Sequence, residues 1–156
     1  MCCCILSSSA RRLCSGKTGV GGSIDEHPGP YTRKAIESLL DTAHALRASG
    51  RVVVIGDPEG LNRDPVDCLL APHATMASCT TTWPASSLAA YDEIARRTTQ
   101  LGVGFLPTRQ FVCFEHECPA VIGNTIAWMD NSHLTVAYST QITEPFSQAL
   151  REVMKP

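Results

Sequence analysis

The sequence predicts an α/β domain of three layers (α/β/α), in which helices cover both faces of a mainly parallel, incomplete sheet. Helix-like and strand-like stretches follow one another in the order helix, strand, helix, strand, strand, helix. The first strand contains an almost unbroken β-branched run, which is typical of a strand buried on both faces. In such sheets active residues lie beyond the carboxyl ends of the strands. Asp57, Asp130 and His133 follow predicted strands in this way.

The elements of the first half follow from hydrophobic spacing. Apolar residues recur three and four positions apart over residues 32–50, which predicts a helix that ends at Gly50. The β-branched strand over 51–57 comes next and ends at an Asp-Pro turn. After an irregular stretch, apolar residues on one side predict a second helix over 86–100.

The second half adds two strands and a helix. Short apolar runs predict strands over 102–107 and 125–129, the latter leading directly to Asp130. A last helix is expected to start at or near Thr135, and Pro145 is expected to kink or interrupt it. The buried stripe of this helix is expected to contain Val136, Ile142, Phe146, Leu150 and Val153.

Composition limits the class of protein. The chain has 156 residues, of which 44% are hydrophobic and 18% charged, as expected of one folded domain. Residues 1–28 have no sustained periodicity and are predicted to be a poorly ordered leader, with the domain over 29–156. A net charge of -2 without a basic stripe argues against a nucleic-acid partner. No signal peptide or membrane-spanning segment is recognisable in the sequence.

Eight cysteines suggest an oxidising compartment. Four lie in the first 14 residues, and the others form two short-range pairs, Cys68 with Cys79 and Cys113 with Cys118. We favour two disulfides. Reduced thiols remain an alternative, as does a metal site that uses His73 and His116, although neither pair has the two-residue gap of a zinc knuckle.

The chemistry-bearing motif is Asp130-Asn131-Ser132-His133. A carboxylate and an imidazole at this spacing can meet within one turn, so that the carboxylate fixes the ring's tautomer and the other ring nitrogen faces a nucleophile. These two residues are half of a hydrolytic triad. The alternative interpretation of the motif is a surface loop whose polar residues cap a helix.

Two blocks of sequence carry a family resemblance. Residues 113–138 contain Cys-x4-Cys-Pro-Ala-Val-Ile-Gly-Asn followed by Asp-Asn-Ser-His-Leu-Thr, and residues 48–69 contain a strand, an Asp-Pro turn and a Cys-Leu segment. The chain resembles, over residues 30–156, the SGNH-hydrolase-like domain attached to bacterial membrane acyltransferases of the acyltransferase-3 type. This resemblance implies an SGNH-hydrolase or flavodoxin-like α/β/α fold with a Ser-Asp-His triad and no cofactor.

The resemblance also implies roles and partners. Asp130 matches the orienting acid and His133 the general base. The family acts on O-acyl groups of cell-envelope carbohydrate or lipid at the extracytoplasmic face of the membrane. An acylated or acyl-accepting glycan or lipid is therefore the expected substrate, and an acyltransferase transmembrane domain the expected partner.

The sequence departs from the family at the nucleophile. The family's Gly-Asp-Ser block and its Gly and Asn oxyanion donors are not recognisable, and Gly22-Ser23 is a poor match without a buried strand before it. Asn124 lies in the wrong block and is expected to be a turn residue. We therefore expect a domain truncated on its nucleophile-bearing side, with weak or absent esterase activity.

Two other function classes stay open. A non-catalytic α/β interaction module would retain only the fold. A phosphate-binding loop at Gly16-Lys17-Thr18 is the other, but Arg11 stands where the first glycine of that motif belongs, and no clear strand precedes it.

Overall fold

The computed structural model describes residues 4–7, 13–14, 30–57 and 60–155. Within them, helices alternate with short strands, which confirms the α/β class. The α-helices are α1 (Pro30–Leu46), α2 (Pro65–Leu70), α3 (Ala85–Gln100), α4 (Val136–Gln141) and α5 (Thr143–Val153). The strands are β1 (Cys4–Ser7), β2 (Leu13–Cys14), β3 (Val52–Gly56), β4 (Thr80–Thr82), β5 (Gly104–Pro107), β6 (Glu117–Pro119), β7 (Val121–Ile122) and β8 (Thr125–Ile126).

The chain divides into two compact units. The first contains Met1–Asp57, Pro84–Pro107 and Leu150–Pro156, and its sheet has the order β2-β1-β3-β5. The parallel pairing expected of this fold is present between β3 and β5, with Val53 opposite Gly104. The pairings of β1 with β2 and with β3 are antiparallel, so the sheet that the structure describes is mixed rather than mainly parallel.

Helices cover both faces of this sheet. Val52 and Val54 belong to one core cluster with buried residues of α1 and α3. Val53 points to the opposite face because side chains alternate along a strand. There it lies beside the end of α5, since a Cβ added to Gly104 would come within 2.7 Å of Val153 Cγ1 and 3.2 Å of Val53 Cγ2. The three-layer arrangement is therefore present in this unit.

The predicted leader falls mostly outside the described residues. Between residues 1 and 28 the structure describes only β1 and β2, which contribute backbone pairings to the first unit's sheet. The predicted boundary at residue 28 and the poor order of the leader stay predictions.

The second unit contains Pro58–Trp83 and Thr108–Ala149. Its described strands form two antiparallel pairs, β4 with β6 and β7 with β8. The strand predicted over 125–129 is limited to β8, because the chain turns into other pairings after Ile126. Both predicted disulfides are present. The Cα atoms are 5.7 Å apart in Cys68–Cys79 and 4.1 Å apart in Cys113–Cys118.

The predicted last helix is two helices. Thr135 caps α4 as expected, because its hydroxyl accepts a hydrogen bond from Tyr138 N at 3.1 Å. The break falls between α4 and α5, and Pro145 lies in the first turn of α5, where its missing N–H costs nothing. The expected burial of Val136 is wrong, since this residue is 83% exposed at the start of α4.

Candidate active site

A tight loop between Trp128 and Leu134 carries the predicted pair. These two residues form an isolated antiparallel bridge, and Met129 N donates to His133 O at 2.8 Å. The chain must therefore reverse direction within residues 130–132. That reversal brings the Asp130 carboxylate back onto the His133 ring, with 2.8 Å between Oδ2 and Nδ1 and 3.0 Å between Oδ1 and Nδ1.

Backbone N–H groups of the same loop hold the Asp130 carboxylate. Its Oδ1 accepts hydrogen bonds from Ser132 N at 2.7 Å and His133 N at 2.8 Å, and the Ser132 hydroxyl donates to it at 3.2 Å. The Ser132 N–H, followed by the His133 side chain, lowers the pKa of Asp130 from 3.8 to about 2. Asp130 is therefore an anion throughout the neutral range.

The carboxylate determines which ring nitrogen of His133 is available. An anionic acceptor at Nδ1 favours the tautomer that carries its proton on Nδ1, which leaves the Nε2 lone pair as a base. The His133 side chain is 66% exposed and that of Asp130 is 36% exposed. A substrate or a nucleophile can therefore reach Nε2 directly, as the base of a triad requires.

The serine closest to the ring is not placed as a nucleophile. The Ser132 hydroxyl lies 3.2 Å from Nδ1, the nitrogen already bound to Asp130. Among the residues that the structure describes, every hydrogen bond of the His133 ring involves Nδ1. Ser23 lies outside the described residues. The described part of the chain thus supplies an imidazole held by a carboxylate at Nδ1, and no hydroxyl on Nε2.

Two other residues, Asp57 and Asn124, bear on the predicted site. Asp57 directly follows β3 and belongs to the first unit, whereas Asp130 and His133 belong to the second. Asn124 is exposed in the turn between β7 and β8, as expected of a turn residue. Preceding it, Gly123 has a φ of 61°, a left-handed conformation that favours glycine.

One contact of this loop could not be predicted from the sequence. Leu61 N donates to the backbone oxygen of Asn131 at 2.7 Å, and Gly60 lies against the same oxygen. Leu61 is buried, but nothing in the irregular sequence around it indicates a partner so far along the chain. Only the folded second unit brings the two segments together.

Helix α4, which follows the loop, is held in place by its buried Tyr138. Tyr138 is buried, and its hydroxyl donates a hydrogen bond to the Phe111 backbone oxygen. Burial raises the pKa of this hydroxyl, so it stays protonated as a donor. Trp128, at the other end of the loop, is buried as the expected packing anchor. The loop therefore begins at a buried residue, and the helix that follows it is held by another.

The structure does not support the alternative of a metal site at the cysteine pairs. Disulfides occupy the four cysteines of the proposed metal pairs. In the described ranges, no three His, Cys, Asp or Glu side chains are grouped as a metal site would need.

The phosphate-loop alternative at residues 16–18 falls outside those ranges. No described helix is both long and apolar enough to cross a bilayer.

The α/β fold and the match to a family model together define the class of protein, a hydrolase-like domain. The family model of the SGNH domain, described as fused to AT3 domains, matches residues 7–148. The chain belongs to this family, and it is an SGNH-like domain of the acyltransferase-3 proteins. The match begins within the predicted leader. No match was found among curated proteins or among solved structures.

Proposed function

We propose that this domain transfers or hydrolyses O-acyl groups, acetyl groups included, of cell-envelope carbohydrate or lipid, with Asp130 and His133 as its acid–base pair. The observation that carries the proposal is the 2.8 Å contact between Asp130 Oδ2 and His133 Nδ1, which orients an exposed imidazole. Membership of the SGNH family supports the reaction class.

The chemistry follows from this orientation. His133 Nε2 removes the proton from a hydroxyl group that attacks the acyl carbon, and Asp130 stabilises the imidazolium that forms. The imidazolium then returns the proton to the leaving alkoxide. A serine as the attacking group would give a covalent acyl-enzyme, whereas water would give direct hydrolysis.

Location and partners are part of the proposal. Two disulfides favour an oxidising environment such as the extracytoplasmic side of a membrane. The family's fusion to acyltransferase-3 domains supports a membrane-embedded acyltransferase domain as the partner. An exposed His133 suits a substrate that is attached to a larger glycan or lipid.

The activity of this chain is expected to be weak or absent. The described residues place no hydroxyl on His133 Nε2, and no oxyanion donors are recognisable in the sequence. Each missing oxyanion donor costs roughly 100-fold to 1,000-fold in kcat. With only the groups that the structure describes, water is the nucleophile that remains, and no oxyanion donor recognisable in the sequence stabilises the charge that develops.

The experiment is a p-nitrophenyl acetate assay of the native chain, of His133→Ala and of His44→Ala. His44 is an exposed histidine of α1, so its removal controls for nonspecific imidazole catalysis. We expect slow hydrolysis that falls to the level of the buffer in His133→Ala and is unchanged in His44→Ala. Robust turnover that His133→Ala abolishes would contradict the expected weakness and establish a nucleophile elsewhere in the chain.

A second candidate, a non-catalytic interaction module, is favoured by one observation, the lack of a described serine at Nε2. Labelling with a fluorophosphonate probe separates the two functions. A serine that becomes labelled in the native chain but not in His133→Ala supports the hydrolase. Equal hydrolysis of p-nitrophenyl acetate by native and His133→Ala proteins, without labelling, supports the module.

A further inference from the structure

We propose that the segment Gly60-Leu61-Asn62 is a positioning element for the Asp130–His133 pair, and that it acts through the peptide unit between Asn131 and Ser132. The inference rests on the proposed function, because it concerns the geometry of the same pair. It assigns a role to residues that form no hydrogen bond with the imidazole in the described structure.

One peptide unit connects the segment to the carboxylate. The Asn131 carbonyl oxygen accepts a hydrogen bond from Leu61 N at 2.7 Å. The N–H of the same peptide, on Ser132, donates to Asp130 Oδ1 at 2.7 Å. Because a trans peptide is planar and rigid, its C=O and N–H point in opposite directions and turn together. Fixing the carbonyl on one side therefore fixes the N–H that holds the carboxylate on the other.

Gly60 allows this close approach. A Cβ added at Gly60 would lie 2.1 Å from the Asn131 backbone oxygen and 3.2 Å from its carbonyl carbon. The first distance is far inside van der Waals contact, and both atoms are backbone rather than a movable side-chain end. Any side chain at this position therefore pushes the Asn131 carbonyl away and rotates the peptide plane.

The segment is itself attached to the second unit's β4 strand. Asn62 N donates to Thr81 Oγ1 at 3.3 Å, and the Thr81 hydroxyl donates to Asn62 Oδ1 at 3.0 Å. Thr81 is only 4% exposed and lies in β4, which pairs with β6. The order of contacts therefore runs from a paired strand through Asn62 and Leu61 to the Asn131–Ser132 peptide and then to Asp130.

The consequence for the site is specific. When the peptide rotates, Asp130 loses the Ser132 N–H that orients its Oδ1, and its contact with His133 Nδ1 loosens. Besides Asp130, the described structure places the Ser132 hydroxyl 3.2 Å from Nδ1, and this hydroxyl belongs to the residue whose N–H turns with the peptide. The share of His133 molecules with the proton on Nδ1 then falls, even though the fold is retained.

The test is ¹⁵N NMR of the His133 ring nitrogens at a pH where the imidazole is neutral, which reports the ratio of Nδ1–H to Nε2–H tautomers. The disturbing variants are Gly60→Ala and Thr81→Val. Thr81→Ser retains the hydroxyl and serves as the conservative variant. Gly123→Asn is the glycine control, since Gly123 has open space around it and Asn tolerates its positive φ.

We expect a dominant Nδ1–H tautomer in the native chain, and a fall of roughly threefold or more in the tautomer ratio in Gly60→Ala and Thr81→Val, the size expected from a weakened hydrogen bond. Thr81→Ser and Gly123→Asn should match the native ratio. Urea unfolding of each variant separates this effect from a loss of stability. If Gly60→Ala does not fold, the Thr81→Val and Thr81→Ser pair decides.

The proposal is overturned if both disturbing variants keep the native ratio, if a control changes it as much as they do, or if the native ring has no Nδ1–H preference. The readout needs no turnover. A changed ratio in an esterase-inactive chain therefore supports the positioning role while the proposed function fails, and the two failures remain distinguishable.

Discussion

The Asp130 carboxylate both holds its loop together and orients the His133 ring. It closes its own loop by accepting hydrogen bonds from the backbone N–H groups of Ser132 and His133. It also accepts a hydrogen bond from Nδ1 of the His133 ring. Both tasks need the negative charge, because charge-assisted hydrogen bonds are the stronger ones. Loop geometry and ring orientation should therefore be lost together when the carboxylate is neutralised.

Acid titration tests this coupling. The folded-state pKa of Asp130 is about 2, below its ordinary value of 3.8. A depressed carboxyl pKa stabilises the fold above the unfolded value, and this contribution disappears as the pH falls through the folded value. We expect the ¹³C carboxyl signal of Asp130 to titrate near pH 2. The free energy of unfolding should lose Asp130's contribution between pH 4 and pH 2.

Asp130→Asn is the control for that measurement, since it keeps the side-chain shape without the titrating group. The difference in unfolding free energy between native and Asp130→Asn proteins should shrink as the pH falls from 4 to 2. A difference that stays constant over this window would show that the carboxylate is not held by the loop.

At the scale of elements, local pattern and long-range pairing differ in how well they can be predicted. Hydrophobic spacing predicts the bounds of α1, β3, α3 and β5 to within a few residues, because the spacing repeats within each element. The antiparallel strands β1 and β2 were missed, because segments of four and two residues carry no recognisable period. In addition, β1 pairs with β3, a partner that lies far along the chain.

The same distinction applies to the candidate site. The contact between Asp130 and His133 could be predicted because it forms within one turn of the chain. The contact of Leu61 with Asn131 could not, because it joins distant segments through backbone atoms that every residue has. Val136 is exposed, contrary to the prediction, because α4 and α5 are two helices rather than one helix with one apolar face.

The core of the first unit offers a matched pair of leucines. Leu40 of α1 is 2% exposed within the cluster formed with β3 and α3, and Leu70 at the end of α2 is 79% exposed. Leu40→Ala removes buried methyl groups and leaves a cavity, so we expect a loss of about 3 kcal/mol in urea unfolding. Leu70→Ala should change stability by less than about 0.5 kcal/mol. Equal effects would contradict the assignment of α1 to the core.

The two disulfide loops should contribute unequally to stability. Cys68–Cys79 spans 11 residues and Cys113–Cys118 spans 5. Loop-closure entropy predicts contributions of about 3 and about 2 kcal/mol respectively. Cys68 and Cys79 are also buried against Ala120. In urea unfolding we expect the double alanine variant of Cys68 and Cys79 to be the less stable of the two double variants, and the reverse order would contradict this expectation.

At the scale of the whole molecule, disulfides are a large part of what holds the domain together. The two contributions sum to about 5 kcal/mol, whereas the total stability of a typical domain is about 5 to 15 kcal/mol. Both bridges lie in the second unit, the unit that carries Asp130 and His133. A compartment that reduces them should therefore affect the candidate site before it affects the sheet of the first unit.

This dependence gives the last expectation. With a reductant present, the native chain should become sensitive to proteolysis within Pro58–Trp83 and Thr108–Ala149, while fragments from Pro84–Pro107 persist longer. Mass spectrometry of timed digests measures both. The control is a variant with alanine at Cys68, Cys79, Cys113 and Cys118, which should be cleaved at the same rate with and without reductant. If the reductant accelerates cleavage of this variant as much as that of the native chain, the other cysteines are responsible, and the two bridges are not what links this fold to an oxidising compartment.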